Sequence, residues 1–249
     1  MFSEFPLFLF TILGGLAAGA YVFAAFFPPM VKKEQPWLLP LISLILLAIG
    51  GIALLFHLGR FERMFLAFAN PTAGIAQEGY VTVLFGLAIV ADLVASVWKK
   101  SSIKPIKIIC AICGLAFAIV TGLAYMSYVT VPAWATWQTA MLFVVGDLAM
   151  GAGLIKALDK AEEPDKKSEK AALVLYALFA CAALLESVHF ITIGTDFILQ
   201  IIAMVLAIAA AIIPFAWKKE GKEKQWVIFA CIALAVLVSR YSFYIAAAI

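Results

Sequence analysis

The chain has 249 residues, of which 65% are hydrophobic and 13% charged, with a formal net charge of +3; an ordinary soluble domain is about 25% charged. A soluble protein of this length has too little interior to hide so much apolar surface, which excludes a soluble enzyme, a disordered chain and a nucleic-acid binder. What remains is an all-α integral membrane protein, and at roughly 25–30 residues per span and connection it holds about eight spans.

Taken in order, runs long enough to cross a bilayer cover residues 5–27, 37–56, 80–98, 106–129, 136–158, 171–193, 197–215 and 226–248. Together they make residues 1–249 a single polytopic membrane domain. The first run follows Met1, Phe2, Ser3 and Glu4. Those residues lack the positive start of a cleavable signal, and the apolar core is too long for one, so the run is read as a retained span. Gly194, Thr195 and Asp196 leave room only for a tight turn, so spans six and seven form an antiparallel hairpin. All six tryptophans, at 37, 98, 134, 137, 217 and 226, fall at span boundaries, where an aromatic belt would place them. The four cysteines lie inside apolar runs, and Cys110 and Cys113, although spaced as Cys-x-x-Cys, are read as small packing residues. Gly15 and Gly19 form a G-x-x-x-G on the first span and predict a close helix contact.

The basic residues are strongly asymmetric. Of 18, the odd-numbered loops carry 15 lysines, the second loop carries Arg60 and Arg63, and Arg240 lies inside span eight. The positive-inside rule therefore puts the odd loops in the cytoplasm and both termini outside. The second loop, from His57 to Gly79, is too long for a turn and too amphipathic for a linker. It predicts a short interfacial helix with Phe61, Phe65 and Phe68 on its apolar side. The fourth loop, with Pro132 and Trp134, predicts a rigid turn against a partner or ligand.

Ionisable groups within spans cost roughly 2.5–3.5 kcal/mol each on insertion scales, so each requires a reason. His57 and Glu78 flank the second loop and can approach one another. With Arg60 and Arg63 they would suit a lipid-soluble quinol, the histidine accepting a proton near neutral pH and the glutamate passing it to outside water. A salt-bridged interfacial loop is the competing reading. Glu186 and His189, three residues apart, share a helix face and are either a hydrogen-bonded pair or a proton relay. Asp147 either pairs with Arg240 or another donor, or belongs to a proton path. Asp92, near the inner end of span three, reads as structural and able to snorkel. Arg240, one turn from Tyr244, requires either an acid or a ligand oxygen. Only two histidines exist, so two haems with four histidine ligands are excluded by count.

These residues fall in an order that resembles the membrane anchor subunit family of dimethyl sulfoxide reductase, related to other quinol-oxidising anchors. His57, Leu58, Gly59, Arg63 and then Glu78 resemble its second-loop motif. Val131, Pro132, Ala133, Trp134 and Thr136, preceded by Tyr125, resemble its fourth-loop motif. Ser239, Arg240, Tyr241, Ser242, Phe243 and Tyr244 resemble its closing pattern. Ala135 and Ala124 stand where the family often has Asn and Arg. Residues 73–76 read Ala-Gly-Ile-Ala in place of a Trp-Ser stretch.

The resemblance implies a haem-free anchor that binds menaquinol and passes its electrons to a ferredoxin-like subunit with [4Fe-4S] clusters, which feeds a molybdopterin catalytic subunit. It gives His57 and Glu78 the central role. Arg60, Arg63, Tyr125, Trp134, Arg240 and Tyr244 complete the expected quinol site, with no metal ligand among them. It also implies a prokaryotic cytoplasmic membrane and no reduction of the terminal substrate by this chain alone, and the gathering of the chemically distinctive residues on the outer side predicts catalytic partners on the extracytoplasmic face. Two other readings stand beside it. One is a secondary transporter using Asp92, Asp147, Glu186 and Arg240, although no repeat between the halves is evident in the sequence. The other is a passive anchor or assembly protein. The same anchor could also run in the quinone-reducing direction.

Overall fold

A computed structural model describes residues 4–29, 35–57, 65–66, 68–161, 165–217 and 221–248. Eight helices are long and apolar enough to cross a membrane, and no strand occurs among the described residues. They are α1 (Phe5–Phe26), α2 (Leu38–His57), α3 (Gly74–Lys99), α4 (Lys104–Met126), α5 (Trp137–Leu158), α6 (Lys166–Ile193), α7 (Ile198–Ala216) and α8 (Lys222–Ile245). A short 3-10 turn, Ala246–Ala248, follows.

Two boundaries move enough to matter. Helix α3 begins six residues before the expected start of span three. Its first turns contain Gln77, Glu78 and the small residues Gly74 and Gly79, which read as loop in the sequence. Glu78 therefore sits on a helix rather than at a span edge. Helix α6 begins at Lys166, because Asp165 caps it by accepting from the backbone N–H of Lys167 at 3.0 Å. The expected α6–α7 hairpin is present. Gly194, at φ 73°, ends α6 in the left-handed conformation open to glycine. Thr195 N–H donates to Phe190 O at 2.9 Å across that end. Asp196 then accepts from Ile198 N–H at 2.9 Å to start α7.

The helices pack as two rings of four. In the first, α1 contacts α2, α2 contacts α3, α3 contacts α4, and α4 returns to α1; in the second, α5 to α8 repeat the same cycle. The sequence shows no such repeat, since the halves share almost no pattern beyond paired small residues. The rings join chiefly where the first helix of each meets the other, and also where α4 meets α5. A side chain on Gly15 would run into the Asp147 carboxylate, one on Gly19 into the Asp147 backbone, and one on Gly151 into the backbone of Gly19 and Ala20. The G-x-x-x-G of α1 thus faces Asp147 and Gly151 of α5, and the two backbones nearly touch. Helices α1 and α5 are consequently the most enclosed, while α2, α3 and α7 show most of their apolar side chains outward. Such an inside-out distribution suits a protein whose solvent is hydrocarbon.

Trp98, Trp137, Trp217 and Trp226 are exposed near helix ends. Trp134 departs from the belt, being buried inside the protein. All four cysteines are free.

Candidate functional site

The even-numbered loops converge on one end of the bundle, where a second apolar core lies apart from the main one. It is built from Tyr125 at the end of α4, Ala133 and Trp134 of the fourth loop, Phe143 of α5, Phe190 of α6, and Phe243 and Tyr244 of α8. Three of these residues, Tyr125, Trp134 and Tyr244, were expected at the site from the sequence, and the fold brings them together. Tyr125 meets Trp134, Phe143, Phe243 and Tyr244 with ring centroids 5.1–5.6 Å apart. Trp134 stacks on Phe243 at 5.0 Å and donates its indole N–H to Phe243 O at 2.8 Å. Aromatic faces and edges interlock here, and the indole N–H is satisfied. Tyr125 and Tyr244 share a side-chain hydrogen bond, and Thr11 Oγ1 lies 3.2 Å from the Tyr244 hydroxyl.

The fourth loop, expected as a turn against a partner or ligand, is tied by hydrogen bonds within itself and to the chain's own helices. Trp134 N–H donates to Val131 O at 2.9 Å and Thr136 N–H to Trp134 O at 2.8 Å. The loop closes on the chain's own helices, through Trp134 and through His189, whose Nε2 donates to Pro132 O at 3.0 Å. His189 therefore points to the loop rather than to Glu186. Of the two readings of this pair, the Glu186–His189 hydrogen bond is absent, and both carboxylate oxygens of Glu186 are buried without a partner among the described residues.

Beneath the aromatic cluster lies Arg240. Its Nη2 donates to Asp147 Oδ1 at 2.9 Å and to Phe143 O at 3.1 Å, and its guanidinium carbon sits 3.1 Å from the centre of the Phe143 ring. Both Arg240 and Asp147 are 1% exposed. Of the two possibilities for Asp147, the structure shows the arginine partner. Arg240 Nε and Nη1 and Asp147 Oδ2 have no hydrogen-bond partner among the described residues.

Glu78 occupies the flank of this end. It is 7% exposed, and it lies within electrostatic reach of Tyr125, Tyr128 and Tyr244. Thr121 of α4 is a polar neighbour. Yet Glu78 Oε1 and Thr121 Oγ1 are both buried without a hydrogen-bond partner among the described residues. A buried acceptor left open in an apolar setting costs free energy and marks a place where a donor fits. Next to it, the end of the second loop folds onto α3. Phe68 stacks against Tyr80 at 5.3 Å, and the Tyr80 hydroxyl donates to Phe68 O at 2.8 Å. Of the three phenylalanines expected on an apolar face, Phe68 packs so, whereas Phe65 is exposed and Phe61 lies outside the described residues.

Five of the eight expected site residues, Glu78, Tyr125, Trp134, Arg240 and Tyr244, thus gather at one end. His57 ends α2 at this same end; its side chain, together with Arg60 and Arg63, lies outside the described residues. Thr121 and Phe143 belong to the constellation and were missed. Each stands four residues before a noted residue, Tyr125 and Asp147 respectively, so helical spacing could have placed them on the same faces.

Asp92 is elsewhere, near the opposite end. It does not snorkel. It is fully buried and accepts from the Tyr21 hydroxyl at 2.9 Å, with Lys107 Nζ at 3.9 Å. Its structural reading holds because α1 and α4 supply its partners.

Residues 1–245 match the family model of the DMSO reductase anchor subunit (DmsC). A comparison with curated protein sequences gives no match.

Proposed function

The chain belongs to the DMSO reductase anchor subunit family, and on that premise we propose that it oxidises menaquinol at the end of the bundle that holds Glu78. In this reading the electrons pass to a four-cluster iron–sulfur subunit, which feeds a molybdopterin catalytic subunit. Both sit on the extracytoplasmic face of a prokaryotic cytoplasmic membrane, where the odd, lysine-rich loops face the cytoplasm. The family assignment makes the chain a membrane anchor of a DMSO reductase-type complex. It favours this reading over a transporter built on the intramembrane acids, two of which are already committed to Tyr21 and Arg240.

The observation that carries the site is the acceptor at Glu78 Oε1, buried and open among the described residues. A quinol supplies two electrons and two protons from its hydroxyls. Glu78 holds one hydroxyl through Oε1 and takes its proton, with Thr121 Oγ1 as the adjoining polar contact. His57, at the end of α2, orients the second hydroxyl and accepts its proton. Tyr125 and Trp134 wall the site and keep water from the helices below. Arg240 works from beneath, fixing Phe143 and Asp147 so that the aromatic wall keeps its shape, and Tyr244 ties that wall to α1 through Thr11. Arg60 and Arg63 meet the developing anion or the docking subunit.

The test is a pair of assays on the intact complex. His57→Ala and Glu78→Gln should each cut quinol-driven turnover by at least a hundredfold. Reduction of the terminal substrate by an artificial donor, which bypasses the anchor, should continue. Full quinol-driven turnover in either variant refutes the assignment of that residue.

A further inference from the structure

A groove opens at the lysine-rich end of the bundle, where the end of α1 and the start of α6 diverge. Its volume is about 480 Å³, within the roughly 300–1,000 Å³ range of ligand pockets. The wall is apolar, formed by Phe26 at the end of α1, Phe27 just beyond it, Leu148 of α5 and Val174 of α6. Phe26 and Val174 are exposed, so the groove opens sideways to hydrocarbon. Among the described residues, the polar ones lining it are Lys167 and Lys170, both exposed and three apart on one helix face.

Among the described residues, neither neighbouring acid, Asp165 or Glu169, forms an ion pair with them. The Asp165 carboxylate is engaged by the Lys167 backbone N–H at the helix cap. Glu169 lines a different pocket, with Lys156 and Lys224. An apolar slot capped by two cations at a bilayer boundary matches one kind of molecule in both halves, an acidic phospholipid. The acyl chain lies along Leu148 and Val174, and the phosphate meets the two ammonium groups, whose stems run along the apolar wall.

We propose that this groove is a binding site for an anionic phospholipid, held by Lys167 and Lys170. A zwitterionic lipid fills the slot as well but brings no net charge to the lysines. Each lysine near an anionic headgroup is worth about 1 kcal/mol, or about fivefold, so the pair gives about thirtyfold preference.

Native mass spectrometry of the intact complex, titrated with phosphatidylglycerol or phosphatidylethanolamine of identical acyl chains, reads that ratio. The first lipid bound to the wild type should favour phosphatidylglycerol by about thirtyfold. K167Q/K170Q should reduce the ratio to below threefold, while K99Q/K100Q, which alters two exposed lysines at the end of α3, leaves it within twofold. Val174→Trp, which fills the slot, should weaken both lipids about tenfold. The substitutions lie on exposed positions, and an unchanged thermal unfolding curve shows that the fold is intact. The proposal is overturned by equal affinities in the wild type, by a preference that survives K167Q/K170Q, or by an equal loss in K99Q/K100Q. It is also overturned if the slot carries a quinone in place of a phospholipid.

Discussion

Replacing Asp147 by asparagine isolates the charge in the Arg240–Asp147 pair from its shape. Asparagine has the size of aspartate, so it still fits against Gly15, and its carbonyl can accept from Arg240 Nη2. What is lost is the negative charge facing a guanidinium that is 1% exposed. Breaking a buried pair by removing one partner costs about 3–5 kcal/mol. An arginine at mid-helix costs roughly 2.5–3.5 kcal/mol on insertion scales. We therefore expect Asp147→Asn to lower stability by about 3 kcal/mol. Arg240→Met should cost less, about 1–2 kcal/mol. The carboxyl left behind can be neutralised by one proton, whereas a guanidinium keeps its charge, and methionine still covers the Phe143 ring. With both changes no charge remains, so the double variant should lie at least 2 kcal/mol above the sum of the singles. SDS-induced unfolding in mixed micelles, followed by tryptophan fluorescence, measures all three. Additivity to within about 0.5 kcal/mol refutes the coupling, and an Asp147→Asn cost no larger than that of Arg240→Met refutes the charge argument.

Two further outcomes follow from packing. Gly151→Val should abolish assembly of a stable monodisperse chain on detergent gel filtration, because a side chain there meets the backbone of α1, whereas Gly51→Ala, which meets nothing within 4 Å, should be silent. Trp134→Phe keeps the ring stack on Phe243 but strands the Phe243 carbonyl, which should cost about 1–3 kcal/mol in the same SDS titration.

The eight helices were legible because the bilayer demands a long apolar run for every crossing, and that demand leaves no local ambiguity. The start of α3 was not, because Gln77, Glu78 and two glycines lower the local hydropathy although the backbone stays helical. The same stretch carries the acidic residue of the candidate site, so the misplaced boundary and the functional residue have one cause. Partner choices were the least legible. Arg240 and Asp147 are 93 positions apart, and which acid an arginine meets depends on which helices are neighbours. Spacing along the chain cannot supply that. His189 shows the same limit: it shares a helix face with Glu186, yet its ring turns toward Pro132 on another loop. Ordered motifs did better, since Tyr125, Trp134, Arg240 and Tyr244 converge although each alone is a common residue near a span end.

The glycine seam between α1 and α5 also sets a schedule for synthesis. Gly19 and Gly151 touch only after the ribosome has made more than half of the chain. Until then the α1 face destined for α5 must face lipid or a chaperone, while α2 and α4 already hold its other sides. A strip of glycine and alanine is apolar enough to face lipid during that wait, and it lets the α5 backbone approach closely when it arrives. The charge that locks the joint, Asp147, enters with α5, and its counter-charge, Arg240, comes last of all with α8. The first ring can therefore settle early, whereas the second becomes electrically complete only as the final helix is inserted.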